Sequence, residues 1–455
     1  MKKLLTLLLS MCMLLCIGIG LTACGGDTGD GGDESQTPSG CQHQYHDGVC
    51  ELCGEKKPSE GLRYYYVYEE NCYHVEIGTC TDTKIVIPST YDNKPVKEIY
   101  GFRDCTFITE VDIPNSIESI DDEAFSGCTS LQEIKIPDSV KSIGVLAFAN
   151  CTGLKEVYLG DGVKTLGYDA FKGCLGILSV NFGDSIEEIG SGAFSGCSSS
   201  SWTELTIPNS VTSIGSKAFN GCKVIIRWEE NPAITEIKSA TFEGYAGTRI
   251  EIPEGVKTIG KNVFKDCPYL HTITFPNSLE SIEMQRFENC PSLQPAPIGN
   301  ATYIGNSTNP CLYLVSSVDI WTETVTVDEN CKFIRSNAFY QHSALKTINL
   351  PEGLIDIGNY AFYDCGVKKI VIPSTVKKIG EFAINSCDSL TEIEIKSTDL
   401  YLDNSAIYSC PKLSTIKFSG TMNDWSILEK HKDWCRPSPG TKVVLVCSDG
   451  NVNLD

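Results

Sequence analysis

The 455-residue sequence lacks any excess of positive charge: 37 lysines and arginines stand against 58 aspartates and glutamates, for a net charge of −21. A surface of this sign repels the phosphates of a nucleic acid and the headgroups of anionic lipids. The composition therefore excludes nucleic acid as a partner of the folded body.

The sequence also lacks the motifs of the common enzyme classes. It contains no Gly-x-Gly-x-x-Gly, no Walker loop, no Gly-x-Ser-x-Gly and no His-Glu-x-x-His. Its six histidines are spread along the chain, and none shows the logic of a catalytic triad by sequence alone. We therefore predict that the protein is not an enzyme.

The N-terminus has the pattern of a secretory signal, in which Lys2 and Lys3 precede an apolar run. The run ends in Leu21-Thr22-Ala23-Cys24, which resembles a bacterial lipobox. This resemblance implies cleavage before Cys24 and lipidation of its sulfur; the alternative is an uncleaved anchor helix. Since two acyl chains suffice for stable attachment, we expect a lipid-anchored protein of the cell membrane that faces the exterior.

Cysteines and histidines cluster after an acidic, glycine-rich linker. Cys50-x-x-Cys53 is the tight turn in which two thiolates can face one metal ion. Cys41 and either His43 or His46 can complete a tetrahedral set of three cysteines and one histidine, and His43 is preferred because it stands two residues from Cys41. The pattern predicts one structural zinc, with a disulfide or free thiols as the alternative.

The remaining cysteines show the architecture, because many of them recur every 23 residues. A fixed period of this length is typical of a solenoid. The clearest run is Cys105, Cys128, Cys151, Cys174 and Cys197. One unit reads Leu131-x-x-Ile134-x-Ile136-Pro137-x-x-Val140-x-x-Ile143-Gly144-x-x-Ala147-Phe148-x-x-Cys151. Followed by its phenylalanine slot, the unit predicts about twelve turns, counted from Phe125.

The slots of the unit predict local structure. Ile134 and Ile136 are two residues apart, so on a strand both point into the core. Val140 and Ile143, three apart, favour an irregular or helical return, and Gly144 would permit a bend. Stacked turns would form a parallel β-sheet over a continuous apolar column. The repeating cysteines are interpreted as buried thiols, while Cys72 and Cys80, outside the period, are candidates for a disulfide.

The unit L-x-x-I-x-I-P-x-S-V-x-x-I-G-x-x-A-F-x-x-C is similar to the leucine-rich repeats of the BspA-like bacterial surface protein family, over about residues 85–420. The resemblance implies a leucine-rich repeat solenoid, a right-handed β/α superhelix whose parallel sheet has short helical or irregular returns. It also implies a surface protein that binds extracellular or host proteins and supports adhesion. Residues 223–240 and 291–330 depart from the unit.

Two columns of outward-facing residues follow from stacking the strands. A column of glutamates, among them Glu133 and Glu156, is interpreted as a solvated face rather than an acidic binding ladder. The other column is chemically mixed, as a specific binding face would be, and we expect it to meet an extracellular or host protein or glycan. Its members are Asp112, Lys135, Tyr158, Asn181, Thr206, Glu251 and Thr274.

Two further functions remain open at this point. One is a glycan-processing or accessory subunit of the cell envelope, with its site in residues 291–330; the other is an architectural spacer without a ligand. The predicted organisation of the chain is a signal peptide (1–23), the lipidated cysteine with a flexible acidic linker (24–40), the Cys/His knuckle (41–57), an N-terminal cap with a hairpin and first strand (58–100), a first repeat block (101–290), an insertion (291–330), a second repeat block (331–420) and a C-terminal cap (421–455).

Overall fold

The computed structural model describes residues 43–283 and 287–454. These residues fall into two compact units, one ending at Lys56 and one beginning at Lys57. The first unit is a two-stranded antiparallel hairpin, Tyr45–His46 and Val49–Cys50. The Asp47-Gly48 turn between its strands has positive φ at both residues, 51° and 79°, as a tight hairpin turn requires.

The second unit is a parallel β-solenoid of fifteen turns, which confirms the predicted fold class. One strand of each turn belongs to a row that we call ladder A. Its strands are Lys84–Val86, Glu110–Asp112, Glu133–Lys135, Glu156–Tyr158, Ser179–Asn181, Glu204–Ile207, Ile225–Trp228, Arg249–Glu251, Thr272–Thr274, Thr324–Thr326, Thr347–Asn349, Lys369–Ile372, Glu392–Ile395, Thr415–Phe418 and Val443–Cys447.

A second parallel row, ladder B, lies on the return side of the turns, where sequence reasoning allowed a helix. Its strands are Cys72–Glu76, Lys94–Gly101, Ser119–Ile120, Ser142–Ile143, Thr165–Leu166, Glu188–Ile189, Ser213–Ile214, Glu236–Ile237, Thr258–Ile259, Ser281–Ile282, Tyr313–Ser317, Phe333–Ile334, Asp356–Ile357, Lys378–Ile379 and Tyr401–Leu402. The helical alternative for the returns was wrong, because two-residue strands bonded to neighbouring turns satisfy the backbone there.

The remaining strands lie at the ends of the solenoid, in the insertion and in a short third row. They are Arg63–Val67, Thr90–Tyr91, Ala296–Ile298, Ala301–Ile304, Ile384–Asn385, Ile407–Tyr408, Cys435–Arg436 and Gly450–Leu454. In the described part of the chain the structure has one α-helix, Met422–Ile427, which begins with a capping box between Thr421 and Asp424.

The predicted count of twelve turns was too low by three. The missed turns begin at the strands Lys84–Val86, Thr415–Phe418 and Val443–Cys447. The first precedes the phenylalanine from which the count started, and the second contains the helix and so breaks the 23-residue period. The third lies beyond the last repeat and closes on an antiparallel hairpin with Gly450–Leu454.

The interior of each turn is filled by the predicted apolar slots. Ile134, Phe148 and Cys151 are all fully buried. The phenylalanine rings of successive turns stack, with centroids 5.2 Å apart for Phe125 and Phe148 and 5.1 Å for Phe148 and Phe171. Stacked rings at this separation add to the stability that burial provides, so the core is one continuous column within each block.

Gly144 serves a different purpose from the predicted bend. Its φ lies outside the left-handed region, and a Cβ at this position would lie 2.6 Å from the Asp121 carbonyl carbon and from the Asp122 nitrogen. The glycine is needed because the backbones of successive turns approach too closely here for a side chain.

The insertion repeats the arrangement of the N-terminal hairpin. At the N-terminus, Arg63–Val67 pairs antiparallel with Cys72–Glu76, which pairs parallel with Lys94–Gly101. In the insertion, Ala301–Ile304 pairs antiparallel with Tyr313–Ser317, which pairs parallel with Phe333–Ile334. The insertion therefore starts ladder B afresh, and buried apolar residues divide into two clusters that meet there.

Candidate binding face and Cys/His site

The residues of the predicted binding face lie side by side on ladder A. The parallel register places Lys135 opposite Tyr158 and Tyr158 opposite Asn181. Further along, Glu251 stands opposite Thr274. These side chains point outward because each strand alternates, with its central residue in the core. Asp112 and Thr274 are half-buried, whereas Lys135, Tyr158, Asn181, Thr206 and Glu251 are exposed.

The glutamate column on the same face is partnered by neighbouring basic and hydroxyl groups. The Tyr158 hydroxyl donates to the Glu156 carboxylate at 2.7 Å, and Lys135 pairs with Glu133. In the second block, Glu392 lies 2.8 Å from the Lys369 amine and 2.7 Å from that of Lys417. These two lysines lower the pKa of Glu392. The partnered column supports a solvated face over an acidic binding ladder.

Sequence reasoning missed Arg227 and Trp228 as members of the face. Arg227 stands opposite Thr206, which is a residue of the predicted binding face, and the Arg227 Nε lies 2.7 Å from the Glu204 carboxylate. The Trp228 indole N–H donates to the Glu251 carbonyl at 2.7 Å, which bridges two turns. Both residues lie in the degenerate stretch 223–240, so the loss of the repeat consensus was the signal that could have found them.

Two hollows open beside these residues on the ladder A side. The first, of about 400 Å³, is lined by Arg227, Trp228 and Glu251 among others. The second, of about 650 Å³, runs from Glu251 to Tyr303 and Asn306 of the insertion. The hollows share Glu251, Pro253 and Glu254, and we call the two together the insertion cleft. Both departures from the repeat therefore border one recess.

The carboxylates of the insertion cleft are engaged in holding the backbone and its neighbours. The two oxygens of Glu254 accept hydrogen bonds from the backbone N–H groups of Asn277 and Ser278, at 2.9 and 3.2 Å. Glu251 lies 3.1 Å from the Arg249 guanidinium. Carboxylates engaged in this way hold the wall of the recess in place, whereas acid–base catalysis uses a pair that can exchange protons.

A smaller hollow of about 220 Å³ lies on the ladder B side, where the second block begins. Asp356 and Asp403 line it together with Lys378. Burial raises the pKa of Asp356 to about 7, attraction to Lys378 opposes the rise, and repulsion from Asp403 adds to it. The position makes the stability of this block sensitive to pH.

In the hairpin unit, His43, Cys50 and Cys53 come together. Their ligand atoms all lie within 4.8 Å of one another, and the Cys53 sulfur is 3.3 Å from His43 Nδ1. Gly54, at a φ of 77°, donates its N–H to the Cys50 carbonyl at 2.8 Å and closes the turn between the two cysteines. His46 stands apart from this set, with a side chain 73% exposed beside Asp47.

The surroundings of Cys50 favour the ionised form of its thiol. Burial opposes ionisation, but the backbone N–H groups of Cys53 and Leu52 and the His43 side chain outweigh it, so the pKa of Cys50 is lowered to about 6. A thiolate is the form in which cysteine binds metal. Two of the predicted site residues, Cys24 and Cys41, lie outside the described residues.

The cysteines of the solenoid have the opposite character. The cysteines that the structure describes from Cys72 to Cys447 are thiols that form no disulfide, and they include Cys72 and Cys80. The Cys151 thiol donates to the Phe125 carbonyl of the preceding turn at 3.1 Å, and Cys174 donates to Phe148 at 3.0 Å. Burial raises the pKa of Cys197 to about 12. These side chains are packing groups whose thiols add a second hydrogen bond to a carbonyl of the preceding turn.

A second group of candidate ligands, Glu70, Cys72 and His74, lies at the start of the solenoid. Its members already have partners. His74 Nδ1 lies 2.8 Å from the Glu98 carboxylate, and the Cys72 thiol donates to the Glu70 carboxylate at 3.7 Å. Burial, followed by repulsion from Glu70, raises the pKa of the Cys72 thiol. The group is less suited to a metal than the hairpin set.

Comparison with protein families gives a match over more than half of the chain. The matching model describes a BspA type leucine rich repeat region, present in six copies over residues 78–201, 198–309 and 320–427. No curated protein matches the sequence.

Several solved structures are similar to this chain. A leucine rich cell surface protein from Faecalibacterium prausnitzii is 24% identical, with 81% of this chain and 96% of that one covered and a TM-score of 0.38. A leucine-rich repeat protein from Bacteroides ovatus is 22% identical, with 83% of this chain and 98% of that one covered and a TM-score of 0.43. The pneumococcal vaccine antigen PcpA is 17% identical, with 85% of this chain and 92% of that one covered and a TM-score of 0.31.

No helix in residues 43–283 and 287–454 is both long enough and apolar enough to span a bilayer.

Proposed function

Because the chain belongs to the family of proteins with BspA-type leucine-rich repeats, we propose that it is a lipid-anchored surface protein whose ladder A face binds an extracellular or host protein or glycan. The observation that carries this function is the insertion cleft. A repeat array has uniform faces, so a place where two departures from the repeat meet on one face is where a specific contact is best made.

The chemistry of the cleft suits a polar macromolecular partner. Arg227 and Trp228 offer the two side-chain types that most often dominate binding energy. Asn306 and Thr308 of the insertion add amide and hydroxyl groups. The exposed column from Lys135 to Asn181 extends the same face over further turns. A protein or glycan lying along ladder A would contact both regions.

The face is tested by direct binding of the full chain to immobilised extracellular matrix proteins and envelope glycans. We expect Arg227→Ala and Tyr158→Ala each to weaken binding by about tenfold, a loss typical of residues that anchor an interface. Tyr168→Ala is the matched control, because Tyr168 belongs to the same turn as Tyr158 but follows the ladder B strand and is 54% exposed. Equal losses from both tyrosine substitutions would place the partner elsewhere.

Lipid anchoring through Cys24 is tested separately. Metabolic labelling with a radioactive fatty acid should mark the wild-type chain and leave Cys24→Ala unlabelled. The alternative, an uncleaved anchor helix, predicts that neither chain is labelled and that both stay in the membrane fraction.

The glycan-processing alternative is less favoured, because the carboxylates of the insertion cleft already accept backbone hydrogen bonds or pair with Arg249. Turnover of an envelope glycan that Glu254→Gln abolishes without loss of folding would support it. The spacer alternative predicts that no probe of the panel binds.

A further inference from the structure

We infer that the hairpin unit is a zinc site whose protein ligands include Nδ1 of His43 and the sulfurs of Cys50 and Cys53. The three ligand atoms already lie within 4.8 Å of one another. Atoms bound to one tetrahedral zinc at roughly 2.0–2.3 Å are separated by less than about twice those bond lengths. The hairpin therefore brings its three ligand atoms close to the spacing that one ion requires.

Backbone hydrogen bonds hold the loop around Cys50 in a closed conformation. Cys50 is 2% exposed, and its backbone N–H donates to Glu55 while its carbonyl accepts from Gly54. The loop is thus folded back on both cysteines. The described part of the unit, residues 43–56, is too short to form a hydrophobic core of its own, and segments of this size usually rely on a metal or a disulfide.

The geometry also selects between the two histidines. His43 presents Nδ1 to the Cys53 sulfur, while its Nε2 lies 3.5 Å from the Glu55 carboxylate. A carboxylate on the far nitrogen is the usual outer partner of a metal-binding histidine, since it fixes the ring orientation. Among residues 43–56, His46 lies beside Asp47 and is not part of the group formed by His43 and the two cysteines.

Cys41 lies outside the described residues, and the sequence offers it as the fourth ligand because it stands two residues before His43. A set of three cysteines and one histidine would close a tetrahedral site and leave no open position, and a zinc held in this way is structural. Substrate activation would need an open position, and the site therefore adds stability to the hairpin rather than an activity.

The test measures zinc in the full chain purified under reducing conditions. We expect about one zinc per chain, as a closed four-ligand site binds one ion. Cys50→Ser and Cys53→Ser should lose it, and His43→Ala should lower it strongly. His46→Ala is the matched control and should keep the wild-type content. Cys72→Ser should also keep it, which separates this site from the Glu70, Cys72 and His74 group.

A spectroscopic measurement guards against loss of folding in the variants. Cobalt in place of zinc should give the charge-transfer and d–d absorption of a tetrahedral thiolate site in the wild type, with a weaker charge-transfer band in Cys41→Ser. The thermal unfolding of the solenoid should not change when metal is removed, because the solenoid forms its own compact unit.

Three results would overturn the site. They are wild-type protein without zinc, a Cys50–Cys53 disulfide found by mass spectrometry in the reduced preparation, and equal zinc loss from His43→Ala and His46→Ala.

Discussion

At the scale of single residues, the same side-chain type has opposite roles in the two units. Cys50 sits among hydrogen-bond donors that favour its thiolate, whereas burial in the solenoid raises the pKa of Cys197 to about 12. Surroundings rather than residue type decide which cysteines have chemistry. The 23 cysteines of the sequence therefore say more about how the repeat packs than about how many reactive thiols the surface carries.

Cys151→Ala should lower the free energy of unfolding by about 1–2 kcal/mol, because it leaves a small cavity and removes the thiol hydrogen bond to the Phe125 carbonyl, which keeps its bond from the Cys128 backbone N–H. Chemical denaturation measures the loss. Thr152→Ala, at the exposed neighbouring position, is the control and should change stability little. Disulfides joining Cys128, Cys151 and Cys174 in mass spectra would contradict the interpretation as buried thiols.

Asp356 makes stability fall as pH rises. Its pKa is about 7 in the folded chain, above the ordinary value of 3.8, so between these values the unfolded chain releases a proton that the folded chain keeps. The contribution of Asp356 to the unfolding free energy therefore decreases from about pH 4 to pH 7 and then levels off. Asp356→Asn removes this dependence.

The comparison is made by denaturant unfolding at pH 4 and pH 8. Relative to wild type, Asp356→Asn should gain about 1 kcal/mol or more on going to pH 8. Asp399→Asn, whose side chain is 89% exposed, controls for the loss of a surface charge. A difference between Asp356→Asn and wild type that stays constant with pH would show that Asp356 ionises normally.

At the scale of elements, each turn depends on how closely it approaches its neighbours. The short strands of ladder B pair with those of the adjacent turns, as Ser142–Ile143 does with Ser119–Ile120 and with Thr165–Leu166. Glycine at the close approach lets the turns reach strand spacing on the return side. The structure of each turn therefore depends on the absence of a side chain at the glycine position as much as on its buried apolar side chains.

Gly144→Ala should destabilise the solenoid by about 2 kcal/mol or more, because the new methyl group would overlap the backbone of Asp121 and Asp122. The midpoint of urea unfolding reports the loss. Ser142→Ala, on the exposed side of the same ladder B strand, should shift the midpoint only slightly. A tolerated Gly144→Ala would mean that successive turns separate at little cost.

At the scale of the whole molecule, the insertion divides the solenoid into two cores. One cluster of buried residues extends from Val75 through Cys290 and takes in a few residues around the insertion, and the other extends from Ala301 to Cys447. Since each turn contacts mainly its neighbours, stability in such an array is local. We therefore expect a destabilising core substitution in one block to leave the other block folded. The insertion that separates the blocks also lines part of the insertion cleft.

Phe362→Ala removes a fully buried ring that stacks on Phe339 at 5.4 Å, and it should cost about 3–5 kcal/mol within the second block. Hydrogen exchange measured by mass spectrometry should show faster exchange in the turns after the insertion and unchanged protection in the turns before it. Phe148→Ala should give the reverse pattern. Uniform loss of protection in either variant would show a single cooperative unit.

The sequence by itself determined the solenoid, because a 23-residue period with apolar residues at fixed slots can bury them only by stacking turn on turn. It also placed Lys135, Tyr158 and Asn181 in one column, since strand alternation and a constant period dictate which residues become neighbours.

Only the tertiary structure decided what happens where the period fails. Arg227 lies next to Thr206 of the predicted binding face because their strands pair, and the degenerate repeat does not reveal this pairing. The insertion's hairpin and the return strands of ladder B depend on backbone bonds between residues distant in sequence. The choice of His43 over His46 beside the cysteines likewise required the hairpin to be closed, because both histidines lie within reach along the chain.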